Sequence, residues 1–285
     1  MKIYPASFSR ASNGALSKVL DEMRKEELLT ESVEEADYIM AVGDRWETYN
    51  FVFPQWQSGK RIIHLWAGEC TPASQDEIHR TAMTLMSDMQ MCTNEEAKKQ
   101  VDDICNLAGK EPNAYVVGNV MMENLDVDES VLEQAGVKDK EYDLVLYNPL
   151  LGHIKEDMAQ IMMELTEGLL EDKPINGTGK FPFIWIRPNI DRGFEFLSKY
   201  ATSSSQPRPK FLALIKHCRK FITNSSCMYY EAPFLIDKEQ IINIGLRNKF
   251  RNSSKARMDI PGATKNIIKS IRSLREQEDK KEKTF

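Results

Sequence analysis

Long apolar runs are missing from this chain of 285 residues. No stretch approaches the length of a membrane span, and the opening MKIYPASFSR has no signal-peptide apolar block, so a cytoplasmic protein without a membrane partner is expected. Cysteine is sparse and scattered: Cys70, Cys92, Cys105, Cys218 and Cys227 show neither metal-ligand spacing nor a disulfide framework, which fits a reducing compartment and no bound metal. Histidine is scarcer still. His64, His79, His153 and His217 form no triad pattern with a serine or cysteine, which argues against a hydrolase of that kind. No internal repeat is present.

What the chain does contain is typical of a globular protein, with 41% hydrophobic and 28% charged residues. Its net charge of −5 hides an asymmetry: residues 206–275 hold 15 basic and four acidic side chains, so that segment is +11 and the remainder −16. Such a balance suits a polyanionic partner for one face, or simply a phosphate-bearing ligand and solvated helix surfaces. Short apolar runs (MKIYPA, DYIMAVG, RIIHLWA, MQMCT, AYVVGN, then YDLVLYN, FPFIWIR, KFITNS, QIINIG) alternate with amphipathic stretches at 13–28, 75–86, 94–107 and 154–170. This alternation predicts an α/β fold with parallel sheets covered on both faces. A polar stretch at 126–142 divides two such series, giving an N-terminal Rossmann-like domain over 1–125 and a C-terminal one over 126–285 that carries the last helix and tail.

Candidate functional residues gather at predicted strand ends, where open α/β sheets place their ligands. In the first half Asp44, Glu69 and Asp76 all follow strands. Each alone reads as a cap or surface charge, but three carboxylates at one sheet edge form a candidate proton-transfer group. Arg10, after the first strand, reads as a helix-start surface residue or as a clamp for phosphate. The aromatic run at 46–56 reads as core or interface. In the second half a strand runs into Asn224-Ser225-Ser226 and then a helix, a pattern of plain N-capping or of a phosphate cradle. Glu231 lies where an acidic residue can hold a ribose diol.

In chain order these motifs resemble the hydrolysing UDP-N-acetylglucosamine 2-epimerases, especially their sialic-acid-pathway branch. Ser9-Arg10-Ala11-Ser12-Asn13-Gly14 matches that family's Ser-Arg-Ala-x-x-Gly, and Gly43-Asp44-Arg45-Trp46-Glu47 its Gly-Asp-Arg-x-Glu. Trp66-Ala67-Gly68-Glu69 stands for its His-Gly-Gly-Glu, followed by Asp76-Glu77. Asn224-Ser225-Ser226, Glu231-Ala232-Pro233 and INIGLRNKFR continue the match. The resemblance implies a GT-B fold, two Rossmann-like domains facing across a cleft. It places Asp44, Glu69 and Asp76 at the catalytic carboxylate positions. Arg10, Arg187, Asn224, Ser225, Ser226 and Glu231 then bind the UDP-sugar, which is substrate rather than cofactor.

Two departures bear on the reaction. Where the family has a catalytic His-Pro, this chain has Asn148-Pro149, and asparagine cannot titrate; His153 lies nearby in sequence. About two strand–helix units of the family are also missing between the first helix and the Asp44 strand. A shortened N-domain suits an open acceptor site, so the expectation drawn here is a UDP-sugar glycosyltransferase with a carboxylate as base, most plausibly Asp44. A nucleic acid fits as acceptor, given the basic segment and the aromatic run; a homodimer is left open. The alternative is the hydrolysing epimerase itself, and the third reading is a non-catalytic UDP-sugar binder.

Overall fold

The computed structural model describes residues 1–8, 10–72, 74, 76–150, 153–171, 183–188, 193–251 and 260–282. The chain forms two compact units, one from Met1–Asn124 with Phe250–Phe285 and the other from Leu125–Lys249. Among the described residues nine strands make two all-parallel sheets, the α/β architecture predicted.

The first sheet has the order β1 (Ile3–Ala6), β2 (Tyr38–Val42), β3 (Arg61–Leu65), β4 (Met89–Cys92), β5 (Ala114–Val116). Alternate side chains of these strands face opposite layers. Tyr38, Met40, Ile63, Leu65, Met89 and Met91 pack with α1 (Arg10–Lys25), whose Leu16, Val19 and Met23 line that core. Ile39, Ala41 and Ile62 pack instead with Val52 of α2 (Trp46–Gln57) and Met83 of α3 (Asp76–Met86). Cys92 continues this second face under α4 (Glu95–Leu107). The aromatic run thus becomes a helix despite Pro54, and Phe51 stacks with Tyr4 at 5.5 Å between ring centres.

The second unit opens with α5 (Ser130–Ala135) and β6 (Asp143–Leu146), then α6 (Ile154–Glu171), β7 (Phe183–Trp185), α7 (Phe194–Ser198), α8 (Arg208–His217), β8 (Phe221–Thr223), the single turn α9 (Cys227–Tyr230) and β9 (Ile241–Asn243). Its sheet order is β7-β6-β8-β9. Helices α6 and α7 cover the face of Val145, Trp185 and Ile222, while α5 and α8 cover Leu144, Ile184 and Phe221. The order reverses between β6 and β8, which makes the C-terminal ends of those two strands a topological switch point.

One domain expectation needs correction. The last helix, α10 (Ala263–Glu282), was placed with the second domain by chain order, but its Ala263, Ile267, Ile268 and Ile271 complete the first unit's core beside α1. An apolar stripe on α1 and the sheet needed a cover, and α10 supplies it.

Candidate functional site

Strand β2 ends at Val42, and Gly43 turns the chain with φ +78°, a left-handed conformation that suits glycine. His64 of β3 fixes this turn. The ring is fully buried, with Nε2 2.8 Å from the Gly43 carbonyl and Nδ1 3.2 Å from Thr84 Oγ1. Burial pushes its pKa down to about 4, so the neutral ring donates from Nε2 and accepts the Thr84 hydroxyl at Nδ1.

Asp44 follows, 30% exposed, and its carboxylate accepts from the buried guanidinium of Arg80 in α3. Arg80 also donates to Glu77, whose Oε2 accepts the Thr71 N–H at 2.6 Å. A continuous polar network therefore joins the β2 end, the first turn of α3 and the loop after β3. Asp76 takes a more local part: its carboxylate accepts the Ser74 hydroxyl at 2.8 Å at the start of α3. Glu77 carries the link to Arg80.

Glu69 sits in the loop after β3, which bends through Trp66 (φ +68°) and Gly68 (φ +74°). A methyl group on Gly68 would lie 1.9 Å from the Ala97 carbonyl oxygen, so glycine is what allows the loop to rest against α4. Glu69 is buried. Its Oε1 accepts the Thr93 hydroxyl at 2.5 Å, and that hydroxyl in turn accepts Asn94 Nδ2 at 2.8 Å. Its Oε2 has no hydrogen-bond partner, with Arg251 Nη1 at 3.8 Å. A buried carboxylate fixed through one oxygen and lacking a hydrogen bond at the other has acceptor capacity left over for a donor.

In the second unit Asn148 and Asn224 meet at the β6 and β8 ends. The Asn148 N–H donates to Asn224 Oδ1 at 2.8 Å, and Asn224 Nδ2 donates back to the Asn148 carbonyl at 2.7 Å. Asn248 Nδ2 holds the Asn224 carbonyl at 3.0 Å. Asn224, expected at the nucleotide, is a buried clamp of two strand ends. Ser225 Oγ accepts the Cys227 N–H at 3.4 Å, and Ser226 precedes α9, which is one turn rather than the longer helix expected. Glu231 is buried against Arg208 at 2.7 Å; burial raises its pKa and Arg208 opposes the shift. Arg187 is exposed just past β7, its N–H donating to the Ser203 carbonyl at 3.0 Å. His153 enters α6, where its carbonyl accepts the Asp157 N–H. The Arg10 side chain lies outside the described residues.

Sequence reasoning did not single out Arg80, Thr93, Arg208 or Arg251. The Glu77–Arg80 pair has helical i,i+3 spacing and was legible in principle. Arg208 and Arg251 find their carboxylates 23 and 182 residues away, with no local signal.

The family model described as UDP-N-acetylglucosamine 2-epimerase matches residues 9–284. A polysialic acid biosynthesis protein, P7 of Escherichia coli, is 28% identical over 82% of this chain and 61% of its own length. The chain spans 58–63% of the length of the curated relatives it matches. Among solved structures, the UDP-N-acetylglucosamine 2-epimerase of Rickettsia bellii is similar with a TM-score of 0.65 at 15% identity, over 96% of both chains. The Neisseria meningitidis enzyme bound to UDP-GlcNAc has a TM-score of 0.60 at 13% identity, over 98% of this chain and 92% of its own. These likenesses support the GT-B fold class. They overturn the glycosyltransferase expectation: the two departures do not outweigh a family match running nearly end to end. The chain belongs to the UDP-N-acetylglucosamine 2-epimerase family.

Proposed function

We propose that this chain acts as a hydrolysing 2-epimerase on a UDP-N-acetylhexosamine, releasing UDP and the free 2-epimeric sugar. The observation that carries the reading is Glu69, a buried carboxylate held by Thr93 with its second oxygen lacking a hydrogen bond, in a chain of this family. In the proposed reaction a first-unit carboxylate removes the proton from C2. The C1–O bond breaks with its electron pair leaving on UDP, and a C1=C2 double bond forms. Water then adds at C1 while a proton returns to the opposite face of C2.

Glu69 and Asp44 are the proton-handling groups in this reading, with Arg80 holding Asp44. Ser225, Ser226, Arg187 and Arg10 take the diphosphate and Glu231 the ribose. Asn148 supplies a neutral hydrogen bond where the family's histidine would stand, so proton transfer falls to the first unit. That same residue favours a second reading, a nucleotide-sugar binder that does not turn over.

One experiment decides between them. The protein is incubated with UDP-N-acetylglucosamine in D₂O without an acceptor, following UDP by chromatography and deuterium at C2 of the free sugar by mass spectrometry. UDP release with deuterated, inverted sugar supports the epimerase. Calorimetric binding without release supports the binder, and no binding overturns both.

A further inference from the structure

Arg251 is the first buried cation after the chain returns to the first unit at Phe250, and its side chain and that of Glu69 are each only 6% exposed. At 3.8 Å its Nη1 is close enough to compensate the Glu69 charge but too far to occupy Oε2 as a hydrogen-bond donor. Among the described residues, the other groups around Glu69 do not replace it. Thr93 binds the opposite oxygen, Cys70 and Cys92 are thiols, and Arg80 is engaged with Asp44 and Glu77. A buried carboxylate without a cation is strongly disfavoured.

We propose that Arg251 is a positioning residue for Glu69, fixing the orientation of its carboxylate for work on the sugar. The inference rests on the epimerase reading for its catalytic half and on the Glu69–Arg251 geometry for its structural half. The pair thus joins both stretches of the first unit's sequence, the loop after β3 from the first and Arg251 from the second.

The test is a double-mutant cycle with Arg251→Met, Arg251→Lys, Glu69→Gln and the Arg251→Met/Glu69→Gln pair. In thermal unfolding, Arg251→Met should lower the midpoint by about 5–10 °C. Adding Glu69→Gln to it should recover part of that loss, because the uncompensated charge is gone. Strictly additive midpoint shifts would overturn the pairing. In turnover of UDP-N-acetylglucosamine, Arg251→Met should lower kcat by about 10–10²-fold with KM little changed, and Arg251→Lys should restore most of it. In the Glu69→Gln background Arg251→Met should cost nothing further. An independent loss in that background, or a change confined to KM, would overturn the positioning role. Absence of UDP release from the wild type would overturn the proposed function and the catalytic half together, while the unfolding cycle would still uphold or reject the pairing.

Discussion

His64 offers a measurable consequence of how the Asp44 turn is built. Its ordinary pKa of 6.5 falls to about 4 in the folded chain because the ring is buried; the Gly43 carbonyl and Asp44 pull the other way, and Arg80 adds to the depression. The unfolded chain therefore takes up a proton near pH 6.5 that the folded chain refuses until about pH 4. Stability from this group is complete above pH 6.5 and drains away as pH falls toward 4. A depression of this size corresponds to about 3 kcal/mol in full, of which about 2 kcal/mol is lost by pH 5. Asp143 and Glu231 have raised pKa values, so they gain stability over part of the same range and blur the raw curve. The comparison with His64→Gln removes them, since glutamine can donate to the Gly43 carbonyl but does not titrate. Urea unfolding of both proteins at pH 7.5 and pH 5 is the assay. The wild type should lose about 2 kcal/mol more than the variant between those pH values. Parallel losses would refute the claim that His64 is buried neutral at this turn.

Glu69→Gln should lower UDP release by roughly 10²–10⁴-fold while calorimetric UDP affinity stays the same; an unchanged rate removes Glu69 as a proton acceptor. Gly68→Ala brings a methyl group 1.9 Å from the Ala97 carbonyl at a φ of +74°. It should cost about 2–4 kcal/mol in urea unfolding, and a neutral result would mean the loop does not lie against α4 as described. Glu231→Ala breaks the buried ion pair with Arg208 and should destabilise by about 3–5 kcal/mol. The nucleotide role is therefore read with Glu231→Gln, which should weaken UDP binding by about 1–3 kcal/mol; equal affinity would exclude the ribose contact.

The strands were legible because each is a short apolar run closed by a polar turn, and all nine formed where such runs occur. Period-2 alternation even anticipates the two faces, since Tyr38, Met40 and Val42 pack one way and Ile39 and Ala41 the other. Helix α2 was harder to read: Pro54 and a dense set of aromatics obscure its period, and its order comes from packing Val52 and Phe51 onto the sheet. The position of α10 was not legible at all, because chain order carries no information about which sheet an amphipathic helix covers. Within the candidate site, Asp44 and Glu69 were singled out by their place after strands. Their partners Arg80 and Arg251 were not, because ion pairs between distant segments leave no periodic trace.

The region between α1 and β2 shows how the first sheet sets the Asp44 turn in place. Steps from β2 to β5 run one way with α2, α3 and α4 on one face, whereas α1 lies on the other. A right-handed crossover through α1 must lead to the outer side of β1. The chain does go there. The Ile3 N–H donates to the Leu28 carbonyl at 2.7 Å and the Thr30 N–H to the Ile3 carbonyl at 3.1 Å, after which residues 31–37 carry the chain to the start of β2. Three residues thus stand where a full strand could pair. The reversal of direction falls between β1 and β2, so the turn at Gly43-Asp44 lies at a switch point, where open sheets bind ligands. Above Ile3 the next backbone position facing outward is Pro5, which has no N–H to offer another strand. A proline there blunts the edge that the short segment leaves uncovered, and the ligand end of the sheet needs no further strand to hold Asp44 in place.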